Sequence, residues 1–202
     1  MTTNPSKPEL GTVDAHLREL VRVAELTRAL APTLEGVALR VVDVLSRGST
    51  LLFCGNGGSA ADAQHLAAEY VVRFRRARRG LPALALTVDS SVLTAGGNDF
   101  GFDDVFARQV EALGRPGDLL FLHSTSGNSP NLLRAAEVAH ERGIHTVALL
   151  ARDGGRLHGL VDDAIVIPTD VTAHAQELHL ALGHAVCEIV DREFAAREEE
   201  SR

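Results

Sequence analysis

The chain has 202 residues, a net charge of −7 and 45% apolar residues, enough for one domain with a sizeable core. The acidic balance disfavours broad attraction to nucleic acid, and no apolar run approaches the ~20 residues a membrane span needs. Cys54 and Cys187 are the two cysteines and lie far apart, which argues against a disulfide framework and a cysteine-ligated zinc.

Residues 1–12 are polar, carry Pro5 and Pro8, and lack the basic start and apolar middle of a signal peptide. They are expected to form a flexible tail on a cytoplasmic protein. From 13 to 45 the apolar spacing is helical (Leu17, Leu20, Val21, Leu26, Leu30, Leu34, Val37, Val42), and Pro32 is expected to divide 13–48 into two helices. The rhythm then changes. Leu51-Leu52-Phe53-Cys54 is a short apolar run before a helical stretch at 59–74, and similar runs recur at 83–88, 119–122, 146–150 and 164–167. A helical pattern at 129–142 separates two of them, and 172–199 reads as one long helix whose charged end, 198–202, is expected to fray. Buried strands alternating with helices predict an α/β fold: three layers around a doubly wound, mainly parallel five-stranded sheet over 49–202, with helices at both ends of one structural domain.

Ligands of such sheets bind where the loops leave the carboxyl ends of the strands, and two loops there are unusual. Gly55-Asn56-Gly57-Gly58-Ser59 lets the backbone approach a ligand closely and presents a helix N-terminus to an anion. Its glycines are too close together for a dinucleotide fingerprint, and no lysine follows as in a Walker loop. Ser124-Thr125-Ser126-Gly127-Asn128-Ser129 gathers four hydroxyls around a glycine before a helix. Capping by Ser129 alone would need none of the other three, so the pattern points to phosphate. The run Arg73-Phe74-Arg75-Arg76-Ala77-Arg78-Arg79 fits either a phosphate contact or a solvated loop edge.

Together these strings resemble the sugar isomerase (SIS) domain, and Gly97-Asn98-Asp99-Phe100-Gly101-Phe102 narrows the likeness to the phosphoheptose isomerases. The likeness covers residues 51–193. It implies an aldose–ketose isomerase that converts sedoheptulose 7-phosphate to D-glycero-D-manno-heptose 7-phosphate through an enediol. Two alternatives are an isomerase for another phosphosugar, and a non-catalytic SIS scaffold of the kind that binds a replication initiator; such scaffolds lack the equivalents of Glu69 and His184, which this chain keeps.

By spacing alone, His65 and Glu69 are an i,i+4 pair on one helix, and Gln176 and His184 share a face two turns apart. A surface pair and a core histidine explain them equally well. The resemblance implies more: His65, Glu69, Gln176 and His184 as ligands of one zinc ion per subunit, with Glu69 as the base and His184 as its catalytic partner. A raised carboxyl pKa would suit that base. The resemblance further implies that Ser124, Thr125, Ser126 and Ser129 hold the phosphate, and that Asn56, Gly57, Gly58, Ser59, Glu69, Asn98, Asp99, Gln176 and Arg73 bind the rest of the substrate. It also implies a homotetramer with sites between subunits. His16, His123, His140, His145, His158 and His174 fall outside the pattern, His179 is read as a packing residue, and Cys54 as a small hydrophobe.

Overall fold

A computed structural model describes residues 11–200. The expected tail at 1–12 therefore lies outside it, apart from Gly11 and Thr12. Thr12 has a defined role: its Oγ1 accepts from the Ala15 amide and caps α1 (Val13–Thr27). A 3-10 turn, Arg28–Leu30, separates α1 from α2 (Ala31–Ser46). Pro32 stands in the first turn of α2, where its missing N–H costs nothing, so the division expected at this proline occurs just before it.

Five strands follow: β1 (Leu51–Gly55), β2 (Ala83–Ala85), β3 (Leu119–Ser124), β4 (His145–Ala151) and β5 (Asp163–Ile167). All are parallel, in the order β2-β1-β3-β4-β5. Alternation explains both buried faces. Leu51, Phe53, Leu119, Phe121, Val147 and Leu149 point to the layer of α2, α3 (Gly58–Val71) and α7 (Thr172–Glu200). Leu52, Cys54, Leu120, Leu122, Ala148 and Leu150 point the other way, toward α5 (Ala107–Leu113) and α6 (Pro130–Glu141). Phe53 and Phe121 stack at 4.9 Å between ring centroids. Because α2 shares this core, the N-terminal helices and the sheet form one unit.

Three expectations change. The run 83–88 yields a strand of only three residues. α4 (Ser90–Asp99) and α5 were not anticipated; α4 carries two glycines and no buried residue. The last helix continues to Glu200, and Glu198 accepts from the Arg79 amide at 2.9 Å instead of fraying; Ser201 and Arg202 lie outside the described residues. Among the described residues, no helix is long and apolar enough to cross a membrane.

The chain reverses its winding between β1 and β3, which lie side by side. The loops leaving these strands, 56–57 and 125–129, therefore emerge side by side at the carboxyl edge of the sheet, where ligands of such sheets bind.

Candidate active site

Gly57, whose φ is 58°, stands at the N-cap of α3 and offers no side-chain cap. A Cβ on Gly58 would lie 2.6–2.9 Å from the carboxamide of Gln176, so this glycine is what lets α7 lay that side chain against the start of α3. Two turns further on, His65 and Glu69 leave one face of α3 and meet His184 of α7. The His65 and His184 Nε2 atoms are 2.9 Å apart, and His65 Nε2 is 3.3 Å from Glu69 Oε1. The Phe74 ring stacks on His184 at 5.3 Å.

One buried ion pair fixes this end of the helices. Arg78 Nε donates to Asp191 Oδ1 at 2.7 Å, with 1% and 0% of the two side chains exposed. The same guanidinium donates to the carbonyls of Glu69 (2.8 Å) and Tyr70 (3.0 Å). Asp191 Oδ2 accepts the amides of Arg75 and Arg76. Burial pushes the Asp191 carboxyl pKa up, but these amide bonds and Arg78 outweigh it and hold it below the usual value. Arg75 and Arg76 pair with Glu188. The arginine-rich run is thus a brace between α3 and α7. Arg73 stays exposed, and the Arg79 guanidinium lies over the Phe194 ring at 5.6 Å from its centroid.

His65, Glu69 and His184 offer two imidazole nitrogens and a carboxylate oxygen within 4.8 Å of one another. Ligand atoms around a tetrahedral zinc stand about 3.3 Å apart, and three protein ligands with an open fourth place is the catalytic pattern. The donor set fits zinc. Gln176 lies on α7 two turns before His184, with its carboxamide against Gly58 at the start of α3.

The second loop is a self-bonded turn. Ser124 Oγ accepts from the Gly127 amide (3.0 Å) and Ser126 Oγ from the Asn128 amide (3.2 Å). Gly127 has φ +63°, and a Cβ there would come within 1.8 Å of the Gly154 carbonyl, so the turn rests directly on the loop after β4. Asn128 Oδ1 accepts the Arg156 amide, and the Gly127 carbonyl accepts the Leu157 amide. Ser129 occupies the N-cap of α6 but makes no side-chain capping bond; the plain-cap explanation of this serine is therefore wrong. Its hydroxyl and that of Thr125 make no hydrogen bond among the described residues, while the Leu132 and Leu133 amides at the start of α6 donate to the Ser129 carbonyl. Asn56 is held by a reciprocal amide pair with buried Asn131 (2.9 Å each way), which ties the two loops together, and Ser59 is buried.

Asn98 and Asp99 end α4, exposed and bonded to each other at 2.7 Å. Among the described residues no hydrogen bond or ion pair joins them to His65, Glu69 or His184. Sequence reasoning missed Asp62, on α3 near His65. Its Oδ2 is buried without a partner, and burial pushes its pKa up while His65 pulls it down; a carboxyl three residues before the histidine was the available signal. His179 is a packing residue, its Nε2 bonding the Leu150 carbonyl at 2.9 Å. Cys54 is buried, which raises its thiol pKa far above the ordinary value.

A family model described as the SIS domain matches residues 16–151. The phosphoheptose isomerase of Akkermansia muciniphila is 51% identical over 179 residues, covering 87% of this chain and 95% of that protein. Among solved structures, the phosphoheptose isomerase of Neisseria gonorrhoeae aligns with a TM-score of 0.85 at 44% identity, covering 89% of this chain and 97% of that one. That of Francisella tularensis aligns with a TM-score of 0.88 at 36% identity, covering 95% and 100%.

Proposed function

The chain belongs to the SIS-domain family and, within it, to the phosphoheptose isomerases, and from that premise we propose how its residues interconvert sedoheptulose 7-phosphate and the aldoheptose 7-phosphate. The observation that carries the reading is the meeting of Glu69, His65 and His184 from two helices that also bound the glycine-rich loop.

The phosphate end binds at the start of α6 and to the hydroxyls of Ser124, Thr125, Ser126 and Ser129, where the helix dipole favours an anion. Asn56 and the backbone at Gly57 and Gly58 face the polyol, with Asn98, Asp99 and Arg73 as its outer contacts. At the reacting end, Glu69 takes the proton from C1. The electron pair moves to the C2 carbonyl oxygen, giving an enediol, and the same carboxyl returns the proton to C2 as the new C1 carbonyl forms. Glu69 Oε1 faces His65, while its second oxygen has no partner among the described residues and is the one assigned to the proton. His184 moves the hydroxyl proton between O1 and O2. His65, Glu69, Gln176 and His184 are the residues that would hold zinc, which when bound would supply Lewis-acid polarisation of the carbonyl.

The assembly we propose is a cytoplasmic homotetramer with sites between chains. It is supported by the exposed row Val13, Leu17 and Val21 on α1 and by exposed Val92, Phe100 and Phe102 beside Asn98 and Asp99. Light scattering should give four times the 21.5 kDa chain mass.

The functional test is direct. Wild-type protein incubated with sedoheptulose 7-phosphate should form the aldoheptose phosphate, followed by NMR. Glu69→Gln should lose ~10²–10⁴ in kcat while still binding the ketose. Turnover of only a pentose or aminohexose phosphate would redirect the reading to another substrate. No turnover with any, alongside a tight complex with a protein partner, would favour the scaffold.

A further inference from the structure

A second group of metal-ligating side chains lies where α1 meets the start of α7. His16 and His174, 158 residues apart, approach to 3.3 Å between His16 Nδ1 and His174 Nε2, their rings edge to face at 4.2 Å. His16 Nε2 is 3.4 Å from Glu177 Oε1. One ligand atom from each of the three falls within 4.8 Å of the others. His174 is 0% exposed, and its Nδ1 is buried without any hydrogen-bond partner.

We propose that His16, His174 and Glu177 form a second divalent-metal site, for zinc or a cation of similar borderline character, that staples α1 to α7. Two imidazoles and a carboxylate are the donors such ions take, with water in the remaining place. His16 Nε2 and Glu177 Oε1 already stand at about the ~3.3 Å separation of tetrahedral ligands. His174 is fixed by its burial, whereas His16 and Glu177 keep 34% and 43% of their side chains exposed and can turn the remaining ångström toward it. The site has something to hold. α1 buries only Val23 and Thr27, both in its second half, while Val13 and Leu17 face solvent. The first turn of α1 meets α7 at this cluster, and Leu20 packs on the core in the next turn.

The test separates this site from the His65 cluster. A His65→Ala/His184→Ala protein, stripped with chelator and dialysed, is titrated with zinc by calorimetry and by metal analysis. It should bind one zinc per chain and gain about 5 °C or more in Tm at a hundredfold excess over Kd. Adding His16→Ala, a part-exposed position that should leave folding intact, should weaken that binding at least ~10-fold and remove the Tm gain; Glu177→Gln should do the same. No zinc bound by the His65→Ala/His184→Ala protein would overturn the proposal. So would zinc retained at unchanged affinity after His16→Ala.

Discussion

The two ends of the candidate site are built on opposite principles. The reacting end, around His65, Glu69 and His184, is positioned by charge: Arg78 and Asp191, buried together, tie the last turn of α3 to α7. The phosphate end is positioned by shape: Gly127 lies on Gly154 at a distance no side chain permits, and its serines bond their own turn. Charge can hold two long helices in register at a point, since a guanidinium reaches several carbonyls at once. The turn's Gly127 and Asn128 amides are held by its own serine hydroxyls, and close backbone contact from behind fixes its shape without a charged partner. The first design fails when a partner is removed, the second when an atom is added.

The largest effect should follow from breaking the ion pair. Asp191→Ala leaves Arg78 buried and unpaired, at about 3–5 kcal/mol, a fall of roughly 10 °C in Tm for a chain of this size, measurable by calorimetry. The double change Arg78→Met/Asp191→Leu should recover much of that stability, because apolar residues of similar volume replace such pairs well. It should not recover kcat, since the bond to the Glu69 carbonyl is gone. Recovery of both would show that the brace positions nothing.

At the other end, Gly127→Ala should cost ~1–2 kcal/mol from its left-handed φ alone, and more from the clash with Gly154. It should raise KM at least ~10-fold while sparing kcat, because the interaction lost is with the unreacting phosphate. A loss confined to kcat would reverse the roles of the two ends.

Between them sits His123, paired with Gly55 across β1 and β3, fully buried with neither nitrogen bonded. Burial lowers its pKa from 6.5 to about 3, and that of His179 from 6.5 to about 4. The folded state refuses protons that the unfolded chain accepts, so stability is full above about pH 6.5 and declines as pH falls toward the folded values. At pH 5 each histidine contributes a loss of about 2 kcal/mol. His123→Leu should therefore halve the drop in urea-denaturation stability between pH 7 and pH 5. An unchanged drop would place the acid sensitivity elsewhere.

The sheet was legible because β1, β3 and β4 are buried on both faces and read as unbroken apolar runs bounded by turn residues. The two loops were legible because glycines and hydroxyls in such density have few other uses. α4 was not: Ser90-Ser91-Val92-Leu93-Thr94-Ala95-Gly96-Gly97-Asn98-Asp99 has poor helix formers and buries nothing. The Arg78–Asp191 brace was hidden because its halves are 113 residues apart, so the run of arginines fitted a phosphate contact and a solvated loop edge equally well. His16 and His174 were hidden for the same reason. A pair on one helix, such as His65 and Glu69, shows in spacing; a pair made by packing two helices does not.

The smallest effect tests the phosphate end at a single hydroxyl. Ser124 Oγ accepts from the Gly127 amide and lies 3.5 Å from Ser126 Oγ, so it shapes the turn as well as facing the anion. Ser124→Ala removes one neutral hydrogen bond, about 1 kcal/mol, and leaves the Gly127 amide to the phosphate or to water. The expected result is a KM rise of several-fold, below that of Gly127→Ala, with kcat unchanged. Because the charge-held end is untouched, the pH dependence of kcat should also stay fixed. A shifted kcat profile in Ser124→Ala would mean that the two ends are mechanically coupled through β3, and that their separation into shape and charge is too sharp.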